Sequence, residues 1–168
     1  GAWFIQEHSR LGFAYSRYES LYGVPGEDVT INLERDRFDA ELELNELGGW
    51  VEAIHLRAGY TDYQHVELEG PDVGTVFERE GWELRAGATH ADLGLFDDGI
   101  IGIQLNDTAS SAVGDEAFTP PAATQTQAVF INEHHHSGAF RYELGARLER
   151  QDISAEVNQS DYNEVALS

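Results

Sequence analysis

Cysteine and methionine are both missing from this sequence of 168 residues. Without cysteine the chain can form no disulfide framework, no thiolate zinc site and no cysteine nucleophile. No apolar run approaches the roughly 20 residues of a membrane-spanning helix, and the first ten residues lack the basic start and apolar stretch of a signal peptide. Because an initiator methionine is also missing, we expect a fragment whose export signal lay upstream.

Basic residues are scarce, with 10 Lys and Arg against 31 Asp and Glu and a formal net charge of −21. This balance argues against nucleic acid as a partner, because phosphate binding needs clustered basic side chains. It argues equally against a peripheral helix on anionic lipid. Yet 41% hydrophobic residues, with 3 Trp, 7 Tyr and 8 Phe, are too many for a disordered chain. The acids must lie on one face or in the loops of a folded protein.

Enzyme signatures are missing too. The sequence has no Gly-x-Ser-x-Gly elbow, no phosphate-binding glycine loop and no His-Glu-x-x-His pair. Neighbouring acids at Asp97–Asp98 and Asp115–Glu116, together with Asp152, lie in turns or loops. General acid–base catalysis needs a pocket that perturbs a carboxyl group, so solvation explains these acids better. We expect no enzymatic activity.

What the sequence does contain is alternation of apolar and polar residues with a period of two, which is typical of β-strands. The clearest example runs from Phe140 to Glu149, with Phe, Tyr, Leu, Ala and Leu on one face and Arg, Glu, Gly, Arg and Glu on the other. Residues 38–45, 54–61, 82–90 and 101–106 follow the same pattern. It predicts an all-β fold, an antiparallel up-and-down meander of about eight long strands.

Turn residues separate these strands. Gly48-Gly49, Asp97-Asp98-Gly99 and Ser137-Gly138 predict tight turns. Longer polar connections are expected near 20–28, 69–75, 107–122 and 153–161. Alternation of short turns with long loops, and strands of ten or more residues, favour part of a transmembrane β-barrel, whose strands show lipid an apolar face and a lumen a polar one. A soluble β-sandwich also alternates and remains the competing explanation.

Five segments resemble the barrels of TonB-dependent outer-membrane receptors, and most closely the branch that takes up zinc and other metals. They appear in the same order and spacing: Ser-Arg-Tyr-Glu-Ser-Leu-Tyr-Gly-Val-Pro-Gly at 16–26, Leu-Arg-Ala-Gly-Tyr-Thr-Asp-Tyr at 56–63, Gly-Thr-Val-Phe at 74–77 with Gly-Trp-Glu-Leu-Arg at 81–85, Gly-Asp-Glu-Ala-Phe-Thr-Pro-Pro at 114–121 and Glu-Leu-Gly-Ala-Arg-Leu-Glu-Arg-Gln at 143–151.

The resemblance implies a 22-stranded barrel, a plug domain and a box that engages TonB, in the outer membrane of a Gram-negative cell. Residues 1–168 would be a partial barrel segment with neither plug nor TonB box. The partners implied are outer-membrane lipid, the remaining strands and plug of the parent protein, and TonB through the missing N-terminal region. The function implied is active uptake of a metal, a metal chelate or a similar small substrate; no cofactor is expected, zinc or another metal entering only as transported substrate.

Two groups are candidate metal ligands. His134, His135 and His136 precede a tight turn, but neighbouring side chains on a strand point to opposite faces, so a solvated polar turn competes with a weak zinc site. His65 and Glu67 share one face of their strand, whereas Asp62 lies on the other. Imidazole and carboxylate suit zinc, but a role in lining the lumen is the better explanation of this pair.

Aromatic and charged rows carry two further expectations. Trp50, Tyr60, Tyr63, Trp82, Phe118 and Tyr142 stand near strand ends, where a membrane barrel has its interfacial girdles. Mixed charges on the lumen face are expected to pair across strands: Arg57, Arg85, Arg141 and Arg147 with Glu83, Glu143 and Glu149.

Two alternatives from other classes remain. One is a free-standing eight-stranded membrane barrel with an adhesive or structural role, since closure at eight strands is physically allowed. The other is a secreted soluble β-barrel or β-sandwich that acts as a binding module. Solubility without detergent would favour the second.

Overall fold

Nine antiparallel strands form one sheet in this computed structural model, which describes residues 1–114, 117 and 119–155, and the backbone of 162–167. The strands are β1 (Ala2–Gln6), β2 (Ser9–Gly23), β3 (Val29–Leu44), β4 (Val51–Glu69), β5 (Asp72–His90), β6 (Asp98–Gly114), β7 (Ala122–Ser137), β8 (Phe140–Ala155) and β9 (Tyr162–Leu167). Each strand pairs with the next, so order in space is order in the chain. The predicted all-β, up-and-down meander is confirmed.

The strands are long and the sheet is open. β2 to β8 contain 15 to 19 residues each, well above the usual five or six of soluble sheets. β1 and β9 are the two edges of the sheet and do not pair with each other, so the sheet does not close into a barrel. No helix among the described residues has the length and hydropathy needed to cross a membrane.

Register sorts the side chains onto two faces. Phe38 lies opposite Tyr60, and Tyr60 opposite Trp82, so the apolar positions of neighbouring strands share one side. The intervening positions, such as Arg37 opposite Thr61, share the other. We call these the apolar face and the arginine face. Among the described strand pairs, the register shifts in β4–β5, near each end of that pair. Elsewhere the register is constant, and this keeps the two faces distinct, because a one-residue slip would exchange them.

The apolar face has no second layer packed on it. Among the described residues the only buried hydrophobic side chain is Ala128, at 4% exposure, whereas Phe13, Phe38 and Leu144 are exposed. The total accessible surface is 11611 Å², against about 8,300 Å² for a compact monomer of this mass. An apolar surface of this extent needs a partner.

The apolar band covers only one part of each strand. On four neighbouring strands it ends at an aligned row of aromatic side chains, Tyr15, Phe38, Tyr60 and Trp82. Two residues further the same face carries Arg17, Asp36, Asp62 and Glu80. The band therefore adjoins the connections that follow β1, β3, β5 and β7, and beyond the aromatic row the face becomes mixed, with apolar residues such as Leu21 and Val113 among polar ones.

Three of the predicted girdle residues do not join this row. Tyr63 lies on the arginine face, in register with Arg35 and Arg79. Trp50 stands in the 45–50 connection, and Tyr142 near the opposite end of the band. Phe118 lies outside the described residues. The row contains Tyr60 and Trp82 as expected, and adds Tyr15 and Phe38.

The expected alternation of short and long connections is wrong. Connections at the band end run over 7–8, 45–50, 91–97 and 138–139; at the other end, those that the structure describes in full run over 24–28 and 70–71. The strands extend into stretches that looked like loops, because polar residues on both faces still pair through their backbones. The two ends differ in where the band lies, not in connection length.

A buried ion pair lies on the apolar face, at the end of the sheet where the connections after β5 and β7 lie. His90 and Glu133 have side chains only 3% and 8% exposed, with Nε2 and Oε2 3.0 Å apart. They belong to β5 and β7 and meet across Gly99 of β6, which stands between them in the same register row. The other ring nitrogen, Nδ1, lies 2.8 Å from the Ala91 carbonyl oxygen. Each ring nitrogen of His90 therefore faces an oxygen atom.

Gly99→Ala is expected to destabilise the fold by about 1–3 kcal/mol, the usual cost of overpacking. An added Cβ would lie 2.6 Å from His90 Nε2 and 2.7 Å from the Asn132 carbonyl oxygen. The matched control is Gly145→Ala, whose Cβ would meet nothing nearer than Asn132 Nδ2 at 3.5 Å. Urea unfolding followed by tryptophan fluorescence measures both. Equal midpoints for the two variants would contradict the close approach.

Candidate ligand-binding face

Arginine is concentrated on one side of the sheet. Every basic residue counted in the 10 Lys and Arg is an arginine, and register places eight of them on the arginine face: Arg10, Arg35, Arg37, Arg57, Arg79, Arg85, Arg141 and Arg147. Arg17 and Arg150 lie on the apolar face, each just beyond the apolar residues of its strand. In a chain with 31 acids, this gives one face a far more positive balance than the whole.

Arg37 is the best-connected of these side chains. Its Nη2 lies 2.7 Å from Asp39 Oδ1 and 2.8 Å from Glu83 Oε1, and its Nη1 donates to Thr61 Oγ1 at 3.2 Å. Glu83 is two strands away from Arg37, and the two meet over Gly59 of the strand between. A Cβ at Gly59 would lie 3.0 Å from both charged groups. Glycine here makes room for a link that skips a strand.

The predicted cross-strand charge ladders form with different partners. Arg57 pairs with Glu41 at 3.0 Å, and Glu83 pairs with Arg37. Arg147 donates to Gln104 Oε1 at 3.2 Å and also contacts Glu149 on its own strand. Arg85 stacks on the Phe130 ring, 4.5 Å from its centroid, and Glu143 accepts from Asn132 at 3.1 Å. Partly exposed pairs of this kind contribute about 0–1 kcal/mol each, so they help fix the register without dominating stability.

Two polar depressions occupy this face in the part of the sheet beyond the band. One, of about 480 Å³, is lined by Arg35, Arg37, Thr61, Tyr63, Arg79 and Thr108, among others. The other, of about 580 Å³, is lined chiefly by hydroxyl and amide groups, including Asn106, Ser110, Thr124, Thr126 and Gln151. Arg79 lines both. Their donors and acceptors suit a polar solute.

The three consecutive histidines divide between the faces. His134 and His136 lie on the arginine face and His135 on the apolar face. His134 Nδ1 contacts Asp98 Oδ1 at 2.6 Å, and His136 Nδ1 contacts Asp97 Oδ2 at 3.0 Å. His134 and His136 thus contact different carboxylates.

His65 and Glu67 are neighbours on the arginine face, as expected. His65 Nε2 lies 3.4 Å from Glu67 Oε1, Nδ1 lies 3.2 Å from the Tyr63 hydroxyl, and the ring packs 4.5 Å from that of Phe77. Asp62 is on the opposite face, in register with Asp36 and Glu80. Within the described part of the chain, no three His, Asp or Glu side chains are arranged to hold a metal ion. Both metal sites remain predictions.

The candidate acid pairs also acquire partners. Asp97 and Asp98 bind histidines, and Asp152 accepts from Arg150 Nη2 at 3.0 Å. Asp115 and Glu116 lie outside the described residues. The Arg37–Glu83 link and the Arg35–Tyr63–Arg79 row were not predicted. The sequence feature that indicates the Arg37–Glu83 link is a glycine, Gly59, among charged positions. The feature that indicates the other row is that Arg35 and Arg79 fall on the same face of alternating strands.

Asp97→Asn is expected to weaken the pH dependence of stability at acid pH. The backbone N–H and the ring of His136 lower the pKa of Asp97 in the folded protein. A lowered folded pKa stabilises the fold at pH values above the unfolded pKa, near 4, and the effect is lost as pH falls through the folded pKa. Urea midpoints at pH 7 and pH 3 should therefore differ less for Asp97→Asn than for the parent chain.

The control for this experiment is Asp72→Asn, which changes an exposed aspartate at the start of β5. It should keep the parent's pH dependence. If the Asp97 and Asp72 variants respond alike, the contact with His136 does not hold in solution.

No protein-family model matches the chain, and no curated protein is detectably similar to it in sequence. The resemblance to TonB-dependent receptors therefore remains a prediction from the sequence segments quoted above.

Proposed function

We propose that this chain is a segment of the wall of an outer-membrane β-barrel of the TonB-dependent receptor type. The apolar face meets lipid and the arginine face lines the interior, where a metal, a metal chelate or a similar small substrate passes. The observation that carries this proposal is the exposed apolar band, bounded by an aligned aromatic row, on a single-layer sheet.

The edge of the band supports a tilted membrane crossing. On β2 to β5 the band ends at the aromatic row, on β6 it ends one register row earlier at Leu105, and on β7 and β8 two rows earlier at Val129 and Leu148. Strands of a membrane barrel tilt by about 35–45° from the barrel axis. A flat membrane surface then crosses successive strands at shifted register positions. The edge shifts in this way from β5 to β7, whereas from β2 to β5 it stays in one register row.

Strand length supports the same arrangement. A tilted strand crosses the hydrocarbon core with about 9–11 residues, whereas β2 to β8 have 15 to 19. On β2 to β5 the excess lies beyond the aromatic row, where charged residues such as Arg17, Asp36 and Glu80 enter the apolar face. Such a part of the wall would stand in water beyond the lipid, as the outer rim of a barrel does.

Fractionation of the source cell tests the proposal. The polypeptide that contains this chain should appear in the outer membrane, migrate differently in gels before and after heating, and be long enough for 22 strands and a plug. A heat-modifiable species of about 18.7 kDa would instead indicate the free-standing eight-stranded barrel. A water-soluble species of that mass would contradict both and indicate a soluble binding module.

Ile103→Arg tests whether the band meets lipid. Ile103 lies on the apolar face of β6 and is 42% exposed. In water an exposed position tolerates arginine within about 0.5 kcal/mol, whereas arginine facing the bilayer midplane costs about 2–4 kcal/mol. We expect a loss of that size in urea unfolding from lipid vesicles, with reduced assembly in cells.

Ser111→Arg is the matched control, on the same strand and the same face but beyond the band, where it stands opposite Glu78. It should unfold like the parent chain. Equal tolerance of arginine at positions 103 and 111 would show that the apolar band does not face lipid.

A further inference from the structure

We propose that the arginine face binds an oxyanion, a carboxylate or phosphate group of a small solute, between Arg35 and Arg79. Binding of the anion depends only on the residues of this face, whereas a role of the site in transport rests on the proposed function. The argument begins with the partners of the arginines. Among the described residues, no carboxylate lies within ion-pair distance of Arg35, Arg79, Arg85 or Arg141, whereas Arg10, Arg17, Arg37, Arg57, Arg147 and Arg150 each have one. Of those four, Arg35 and Arg79 share a register row, and Arg85 stacks on Phe130.

Arg35 and Arg79 are held on either side of one residue. Both are in register with Tyr63, Arg35 from β3 and Arg79 from β5. Two strand spacings separate their α-carbons by about 10 Å. Tyr63 stands between them, but its hydroxyl lies 3.2 Å from His65 Nδ1, on the next row of the face, and both arginines line the same depression. Arg35 also lies 5.8 Å from the centre of the Tyr18 ring, which flanks it on the side away from Tyr63.

The carboxylates nearest to this row are already neutralised. The next row on the face contains Arg37, and the row after it contains Asp39 and Glu83. Both acids bind Arg37, at 2.7 and 2.8 Å. They therefore do not compete for Arg35 and Arg79. Glu67, two rows away on the other side, contacts His65 Nε2 at 3.4 Å, so neither guanidinium group of the pair has a direct carboxylate partner.

Space and further donors are present beside the pair. Thr61 and Thr108 line the 480 Å³ depression, together with Gly59 and Gly81. Thr61 Oγ1 accepts from Arg37, so its hydroxyl hydrogen is free to donate. Guanidinium groups bind carboxylate and phosphate through two parallel hydrogen bonds. Two such forks with added hydroxyl donors fit an oxyanion far better than a free metal cation.

The test is isothermal titration calorimetry on the whole protein that contains this chain, in detergent, with citrate and separately with inorganic phosphate. The parent protein is expected to bind at least one of them, and which one it prefers identifies the group as carboxylate or phosphate. Arg35→Gln with Arg79→Gln should weaken that binding at least tenfold. Arg35→Lys with Arg79→Lys, which keeps the charge but loses the fork, should give an intermediate loss.

Arg57→Gln is the matched control, because it removes the same charge from the same face at a residue paired with Glu41. It should change the affinity less than twofold. Circular dichroism and heat-modified migration check that each variant folds, and the lysine variant answers the question if the glutamine variant does not fold. The proposal is overturned if neither anion binds the parent, or if Arg57→Gln weakens binding as much as the double variant. Binding in detergent is independent of fractionation, so failure here is distinguishable from failure of the membrane proposal.

Discussion

The antiparallel backbone ladder determines which side chains share a face of this sheet. The described residues form no packed core that could do so instead. From β2 to β8 each strand pairs with its neighbours over most of its length, with register shifts confined to β4–β5. A slip of one residue between two strands would move arginines to the apolar face and phenylalanines to the other. The two faces are thus a direct product of hydrogen-bond register.

Glycine lets charged side chains that are two strands apart contact each other. Nearest neighbours on a face lie about 5 Å apart, so side chains two strands apart normally meet only if the position between them is empty. Gly59 leaves such a gap for Arg37 and Glu83 on the arginine face, and Gly99 for His90 and Glu133 on the apolar face. Each link ties three strands together.

The period of two was enough to predict the strands, their order and which residues share a face. It predicted Phe140 with Leu144, and His65 with Glu67 but not Asp62, because parity depends only on the chain's own pleat. It could not predict strand ends, since the polar stretch around residues 69–75 pairs as well as an apolar one. Nor could it predict the link from Arg37 to Glu83, which depends on the relative register of three strands.

The position of the Arg35–Tyr63–Arg79 row relative to the aromatic row gives the proposed site a definite depth. Each of its residues stands three positions beyond Phe38, Tyr60 or Trp82 on its strand, or about 10 Å along the strand direction. In the proposed orientation the aromatic row marks the lipid boundary, so the arginine pair lies in the watery part of the wall beyond it. An anion arriving from that side would meet Arg35 and Arg79 before the more closely paired charges around Arg37 and Arg57. Arg37 and Arg57 each have a carboxylate partner, so in the proposed orientation the unpaired Arg35 and Arg79 would stand ahead of them on the path of an entering solute.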